Sequence, residues 1–151
     1  MGSAEVIGRD NVRDVTVETW RCEGSRGDEV LADAYLAGEP RAVVIGGHGK
    51  DNRRSAQYLR GPALQWAARG VAMVAADAPL HGDRAGERPV PRATMGDPDL
   101  VERWVADQRL LIEPPIAASG LNTTRIALRP DPMGLDFFAD VQWVEVLPVM
   151  V

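Results

Sequence analysis

The sequence predicts an α/β fold, a partial doubly wound sheet in which an N-terminal β-hairpin precedes parallel strands joined by crossover helices. Two continuous apolar runs, residues 42–45 and 71–76, are typical of strands that are covered on both faces in a parallel sheet. The segment between them, 59–69, has apolar residues at helical spacing and is followed by Gly70, a common residue at a helix C-terminus. Strand, helix and strand at these distances predict a right-handed crossover unit.

The N-terminal part of the chain predicts the hairpin. In segment 11–22, Val15 and Val17 alternate with polar residues, and segment 30–37 alternates in the same way. The residues between them, 24–28, read Gly-Ser-Arg-Gly-Asp, which suits a tight turn because glycine and aspartate tolerate the required backbone angles. Two alternating strands joined by a short turn form a β-hairpin.

Prolines set the expected helix boundaries. Pro62 is tolerated only near a first helical turn, so the first helix is predicted to begin near Gly61. Residues 97–99 read Asp-Pro-Asp and open a second helix, which Pro114 and Pro115 are predicted to stop. The predicted apolar side of this helix consists of Leu100, Val101, Trp104, Val105 and Leu111.

A single domain over residues 1–151 is expected, since domains of about 100–200 residues are common. Segment 125–128, Arg-Ile-Ala-Leu, predicts a third parallel strand. The tail, 135–151, diverges from any clear pattern: its valines suggest extended structure, but Pro148 would have to lie at an edge or an end of a strand.

The composition is that of an ordinary globular protein, with 45% hydrophobic and 26% charged residues. The net charge of −5 argues against a nucleic-acid partner, because that binding needs clustered Lys and Arg. Cys22 is the only cysteine, so neither an intrachain disulfide nor a multi-cysteine metal site is predicted. No targeting segment and no apolar run of membrane-spanning length is visible, and we expect a cytoplasmic protein without a membrane partner.

The first candidate site is the glycine-rich loop after the first buried strand. Residues 46–49 read Gly-Gly-His-Gly and lie between a predicted strand and a predicted helix. Glycine lets the backbone approach a ligand, and successive amides in such a turn can donate hydrogen bonds to an oxyanion or a phosphate. A plain glycine-rich turn around a core histidine is the alternative. The candidate ligand-binding residues are Gly47, His48, Gly49, Lys50 and Asp51.

The second motif follows the next strand, where residues 77–84 read Asp-Ala-Pro-Leu-His-Gly-Asp-Arg. This segment resembles the Asp-x-Pro-x-His-Gly-x-Arg sequence of esterases in the α/β-hydrolase superfamily, in its esterase and dienelactone-hydrolase branch. The glycine loop resembles the oxyanion loop of the same family. The resemblance covers about residues 11–134, only the N-terminal portion of the family's fold. It implies that Asp77, His81 and Arg84 shape their loop and do not catalyse.

The resemblance also implies an oxyanion donor in the backbone of Lys50 or a neighbour, and a nucleophile in a Gly-x-Ser-x-Gly turn. At the corresponding place, 130–134 reads Pro-Asp-Pro-Met-Gly, so Pro132 occupies the nucleophile position and cannot form a covalent intermediate. Asp131 lies one position early, and Pro132 has no N–H to stabilise an oxyanion beside it. Because no histidine follows His81 either, no catalytic residue is assigned.

The expected function is that of an α/β-hydrolase-family protein related to carboxylic-ester hydrolases, truncated or degenerate, whose chain lacks a complete catalytic triad. Two alternatives stay open: a non-enzymatic module that binds a small anion or a protein, and one half of a hydrolase that another chain completes. The expected ligand is a small ester or an anion, and an exposed sheet edge could support a homo-oligomer. No cofactor or metal is predicted, because His48, Asp77 and His81 lack zinc-motif spacing and the glycine loop does not match the dinucleotide fingerprint.

Overall fold

The computed structural model describes residues 4–49, 52–84, 98–119 and 126–129. The strands in these ranges are β1 (Glu5–Val12), β2 (Val15–Glu23), β3 (Glu29–Leu36), β4 (Ala42–Gly46), β5 (Val71–Ala76) and β6 (Ile126–Arg129). The helices are α1 (Gln57–Ala67), α2 (Pro98–Ser119) and a short 3₁₀-helix (Gly82–Arg84). The strands form one mixed sheet in the order β1-β2-β3-β5-β4-β6. The predicted α/β fold is confirmed.

The N-terminal strands form an antiparallel meander that contains the predicted hairpin. β2 pairs with β3, with Val17 opposite Tyr35. β1 pairs with the other side of β2, across a turn in which Arg13 has a φ of 56°. The sequence does not predict β1, because it is an edge strand whose adjacent Val6 and Ile7 side chains are both exposed, so it shows no apolar alternation.

The crossover from β4 through α1 to β5 is present, and the two strands pair in parallel as predicted. Gly70 follows the helix with a φ of 79°, a left-handed value that favours glycine. Its N–H donates to the carbonyl oxygen of Ala67 at 2.9 Å. The predicted C-terminal end of this helix is therefore confirmed.

The predicted start of α1 near Gly61 is wrong, since the helix begins at Gln57 and contains Pro62 in its second turn. A proline inside a helix lacks one backbone hydrogen bond and costs about 3 kcal/mol. The earlier turn buries Leu59, and Ala63 follows it on the same face. Because apolar burial against the sheet stabilises this turn, packing outweighs the proline preference.

The second helix begins at Pro98, within the predicted Asp-Pro-Asp start, but its backbone continues through Pro114 and Pro115 to Ser119. The predicted stop at these prolines is wrong. The φ of proline, about −65°, is itself a helical value, so the backbone can remain helical although it loses hydrogen bonds there. β6 then pairs in parallel with β4, and its bounds differ from the predicted strand by one residue.

Alternation along β5 divides the core between the two faces of the sheet. Ala72 and Val74 pack in a cluster that includes Trp104 of α2. Met73 points to the opposite face and packs in a cluster that includes Leu59 of α1. Each helix therefore covers one face, which is the arrangement of a doubly wound sheet.

No helix in the described part of the chain is both long enough and apolar enough to cross a membrane. The divergent tail, 135–151, lies outside the described residues.

Candidate functional site

The two loops that carry the sequence motifs leave the sheet at the same edge. β4 and β5 are parallel neighbours, and Gly46 at the end of β4 pairs with Ala75 near the end of β5. The loop that begins at 46–49 and the loop over 77–84 therefore start side by side. In open α/β sheets, ligands bind outside this carboxyl edge of the strands.

His48 joins the two loops and is buried, with 3% of its surface exposed. Its Nε2 accepts the backbone N–H of Ala78 at 2.9 Å, and its Nδ1 lies 2.9 Å from the carbonyl oxygen of Gly49. Because a carbonyl oxygen can only accept, Nδ1 carries the proton and the ring is neutral. The ring of Trp104 on α2 lies nearby, with 6.2 Å between the ring centroids. The imidazole thus connects the end of β4 to the residue that follows Asp77.

Asp77 is the first residue after β5 and is fully buried. Its Oδ1 accepts the backbone N–H of Arg54 at 2.8 Å. Its Oδ2 accepts the Arg54 guanidinium at 2.5 Å and the backbone N–H of Asp83 at 3.1 Å. Charge-assisted bonds of this kind are stronger than bonds between neutral groups. Asp77 therefore links the segment before α1 to the 3₁₀-helix after β5.

Arg54 is the cation of this group, which we call the Arg54 cluster: Arg54, Asp33, Asp77 and Asp83. Its guanidinium also bonds Asp33 on β3 at 3.2 Å and pairs with Asp83. Burial alone would lower the pKa of Arg54, but the carboxylates of Asp83, Asp77 and Asp33 outweigh burial and raise the pKa above its ordinary value. A permanently charged guanidinium thus ties three segments of the chain together.

Gly82 allows the loop after β5 to close over Asp77. Its φ is 52°, and a Cβ atom at this position would overlap the Asp77 carboxylate. Glycine alone combines a left-handed conformation with the absence of a side chain. The glycine of the His-Gly pair in this motif is therefore required by the approach of the backbone to Asp77.

The amide of Gly49 has a partner within the chain. Its N–H donates to the hydroxyl oxygen of Tyr58 at 2.6 Å. Tyr58 belongs to the first turn of α1 and is 39% exposed, whereas Gly49 is buried. The sequence does not predict this contact, because an aromatic residue at the start of a helix has no distinguishing pattern.

A second group of polar residues, the Arg84 network, attaches the loop after β5 to α2. Arg84 pairs with Asp28 near the start of β3 and with Asp107 on α2, both at 2.8 Å. Arg103 of α2 binds Asp28 at 2.6 Å, and the Ser25 hydroxyl donates to Asp107 at 2.6 Å. Burial alone would raise the pKa of Asp28, but the guanidinium groups of Arg84 and Arg103 outweigh burial and lower it.

Two nucleophile candidates among the described side chains, Cys22 and Ser25, are not activated. Burial raises the pKa of Cys22 to about 11, so its thiol is protonated at neutral pH. The Ser25 hydroxyl donates to the carboxylate of Asp107, whereas the serine of a catalytic triad donates to an imidazole that takes its proton. Lys50 and Asp51, like the predicted elbow with Asp131 and Pro132, lie outside the described residues.

His81 lies beside His48, with the two ring centroids 5.3 Å apart. Its Nδ1 lies 2.9 Å from the carbonyl oxygen of Pro79, and the Nε2 of His48 lies 4.0 Å from Oδ1 of Asp77. Although these three side chains are close, no group of three His, Cys, Asp or Glu residues within the described ranges is arranged to hold a metal ion.

The structure places two sets of predicted residues side by side, and adds residues that sequence reasoning misses. The predicted residues in the two loops are Gly47, His48, Gly49, Asp77, His81 and Arg84. The added ones are Arg54, Asp33 and Tyr58. Arg54 lies 21 residues from Asp33 and 23 from Asp77 in sequence, so no local spacing could indicate these contacts.

No family model matches the sequence, and no curated protein matches it. Several solved structures, however, are similar to it in fold. The fold is similar to that of a cold-adapted esterase from an Arctic intertidal metagenomic library, with a TM-score of 0.62 and 20% identity over 83% of this chain. It is similar to acetyl xylan esterase 1 from Thermoanaerobacterium sp. JW/SL YS485, with a TM-score of 0.56 and 15% identity over 84% of this chain. The chain has an α/β-hydrolase fold.

An acetyl xylan esterase from Paenibacillus sp. R4 has the same α/β-hydrolase fold, with a TM-score of 0.54 and 16% identity over 85% of this chain. The matches cover 54% of the cold-adapted esterase, 43% of the Thermoanaerobacterium enzyme and 45% of the Paenibacillus enzyme. This chain therefore spans about half the length of the esterases it matches.

Proposed function

We propose that this chain is an esterase-like hydrolase module that contributes the oxyanion loop of an ester-hydrolysing site and lacks a complete catalytic triad of its own. The observation that carries the proposal is the arrangement of His48 between the two motif loops. Its Nε2 accepts the Ala78 amide and its Nδ1 faces the Gly49 carbonyl, so the ring holds backbone in place. A ring used in this way positions an oxyanion loop and does not transfer protons.

The histidines of the chain support the absence of a triad. There are two, His48 and His81. In a triad, a carboxylate orients the base through Nδ1 while Nε2 takes the proton of the nucleophile. Here both Nδ1 atoms lie 2.9 Å from backbone carbonyls, those of Gly49 and Pro79. The resemblance that assigns Pro132 to the nucleophile position supports the same conclusion.

The oxyanion role is supported by the way in which the loop is held. Residues 47–49 are buried between a strand and a helix. The bond from Ala78 to His48 fixes the loop from one side, and the Arg54 cluster fixes the segment that leads into α1. Backbone amides that are held in advance stabilise a developing negative charge without reorganisation. A small carboxylic ester is the substrate class that we propose for the completed site.

The first test is hydrolysis of p-nitrophenyl acetate by the purified chain, by a Gly49→Trp variant and by a Gly61→Trp control. A Cβ at Gly61 meets nothing within 4 Å, so the control adds the same side chain without closing the loop. We expect no turnover above background in any of the three, and no labelling by a serine-directed phosphonate. Turnover that Gly49→Trp alone abolishes, or labelling of the chain, would reveal a competent nucleophile and overturn the proposed absence of a triad.

The oxyanion role itself is tested by titrating the ¹⁵N-labelled chain with acetate, with sodium chloride at equal ionic strength as the control. Acetate should shift the backbone amide resonances of residues 47–49 in a saturable manner. An unchanged set of loop resonances would contradict the proposed role of the loop, whatever the result with the ester.

A second candidate function rests on the position of β6. Within the ranges that the structure describes, β6 pairs with β4 on one side only, so its other edge could accept a strand of a second chain. Such a partner would complete the sheet of a hydrolase, or form a homo-oligomer. Light scattering over a concentration series tests this: we expect a dimer that Ala127→Pro disrupts, and a monomer at every concentration would contradict it.

A further inference from the structure

We infer that Tyr58 is a latch on the oxyanion loop, whose hydroxyl must leave the Gly49 amide before that amide can bind an anionic oxygen. The inference rests on the proposed function of the loop and describes how the same site is regulated. The contact between these two residues is the observation behind it, since the Gly49 N–H and the Tyr58 oxygen are 2.6 Å apart.

An amide that is already bonded cannot serve a ligand at the same time. A backbone amide has one hydrogen, and the distance to Tyr58 is short for an N–H···O bond, whose usual range is about 2.7–3.2 Å. The phenol oxygen therefore stands where the oxygen of an acyl group or a carboxylate would have to lie to receive this hydrogen. Binding at Gly49 requires the ligand to displace the phenol.

The surroundings of the two partners make Tyr58 the side that moves. Gly49 belongs to a buried loop whose neighbour His48 is fixed by the Ala78 amide. Tyr58 is 39% exposed, one of three large hydrophobic residues in the described part of the chain with this degree of exposure. Exposed side chains change rotamer in picoseconds to nanoseconds. The ring can therefore leave while the contacts between the loops remain.

The size of the effect follows from the hydrogen bond that the ligand must replace. A hydrogen bond within a protein typically contributes about 0.5–1.5 kcal/mol net. Removing the competing hydroxyl should therefore tighten the binding of a weak anion by about two- to tenfold. Tyr58→Phe removes the hydroxyl and keeps the ring, and Gln57→Ala, at an exposed neighbouring position that keeps the phenol, is the matched control.

The experiment is an acetate titration of the ¹⁵N-labelled chain, its Tyr58→Phe variant and its Gln57→Ala variant, followed at the Gly49 amide. We expect an acetate Kd about two- to tenfold lower in Tyr58→Phe than in the other two proteins. An equal or higher Kd in Tyr58→Phe, with a normal response in the wild type, would overturn the latch and leave the oxyanion role intact. No response of Gly49 in any of the proteins would overturn both.

A second measurement needs no variant, and so remains decisive if Tyr58→Phe fails to fold. In the wild-type chain the ring resonances of Tyr58 should move with the Gly49 amide during the acetate titration, with the same apparent Kd, because the ligand releases the ring. Ring resonances that stay constant while Gly49 titrates would show that acetate does not displace the phenol, and the latch would be wrong.

Discussion

Two sets of ion pairs in this protein use the same residue types but differ in their surroundings. The Arg54 cluster lies under the loops after β4 and β5, where the Asp77 side chain is fully buried and the Arg54 side chain is 14% exposed. The ion pairs of Arg21 in the N-terminal meander lie on the surface, and the side chains of Arg21 and Glu5 are 48% and 66% exposed. These surface pairs are Arg21 with Glu5 and Arg21 with Glu29.

The difference shows where charge matters in this fold. Water screens the surface pairs, and pairs of that kind contribute about 0–1 kcal/mol. Within the Arg54 cluster the Asp77 carboxylate is fully buried, so removing it leaves the largely buried Arg54 guanidinium without its most buried partner. Removing a charged side chain should therefore lower the free energy of unfolding most at the two motif loops, where the candidate site lies.

Asp77→Ala should produce the largest effect. It removes the acceptor for the Arg54 amide, the Arg54 guanidinium and the Asp83 amide, and breaking a buried pair in this way costs about 3–5 kcal/mol. The free energy of unfolding in urea is the measurement. The matched surface change is Glu5→Ala, for which we expect less than about 1 kcal/mol. Losses of similar size in the two variants would contradict the contrast between buried and surface pairs.

Gly82→Ala should have the next largest effect, and Gly38→Ala separates its two causes. Both glycines have left-handed φ values, 52° and 55°, so both variants carry a backbone strain of about 1–2 kcal/mol. A Cβ at Gly38 meets nothing within 4 Å, whereas one at Gly82 overlaps the Asp77 carboxylate. We expect Gly82→Ala to lose at least about 1 kcal/mol more than Gly38→Ala in urea unfolding. Equal losses would mean that the loop relaxes and does not press on Asp77.

The parts of the fold that the sequence predicts are those with a local signal. The apolar runs of β4 and β5 and the glycine after α1 depend on neighbouring residues only, and the structure confirms them. The sequence does not predict β1, because an edge strand with exposed Val6 and Ile7 shows no alternation between apolar and polar residues. The predicted start of α1 and the predicted stop of α2 are wrong because packing in α1 and the helical φ of proline in α2 tolerate prolines inside these helices.

The candidate site likewise contains residues that local sequence motifs predict and residues that they do not. The motif residues are visible in sequence because the glycines and histidines stand together in short segments. The contacts of Arg54 cannot be predicted from the sequence. The chain has 17 Lys and Arg and 22 Asp and Glu, so many pairings are possible, and no spacing singles out Asp33 or Asp77 as the partners of this arginine. Tyr58 reaches Gly49 only because α1 begins before the predicted position. Such contacts between distant segments can be predicted only when the strand register and the first residue of the helix are known, and local sequence patterns do not give either.

The Arg84 network is the intermediate case, and it predicts the smallest effect. The Asp28 side chain is 33% exposed, between the buried and the surface pairs. Arg84 and Arg103 lower its pKa in the folded chain, so its contribution to stability is fully present above the ordinary aspartate pKa of about 3.9 and is lost as the pH falls through the lower, folded value. Asp28→Asn should therefore reduce stability near pH 6 by less than about 1 kcal/mol and flatten the decline towards pH 3, measured by urea unfolding. Asp14→Asn, an exposed residue of the β1–β2 turn outside the network, is the control. If both variants keep the wild-type pH dependence, Asp28 behaves as a surface residue and the network does not anchor α2.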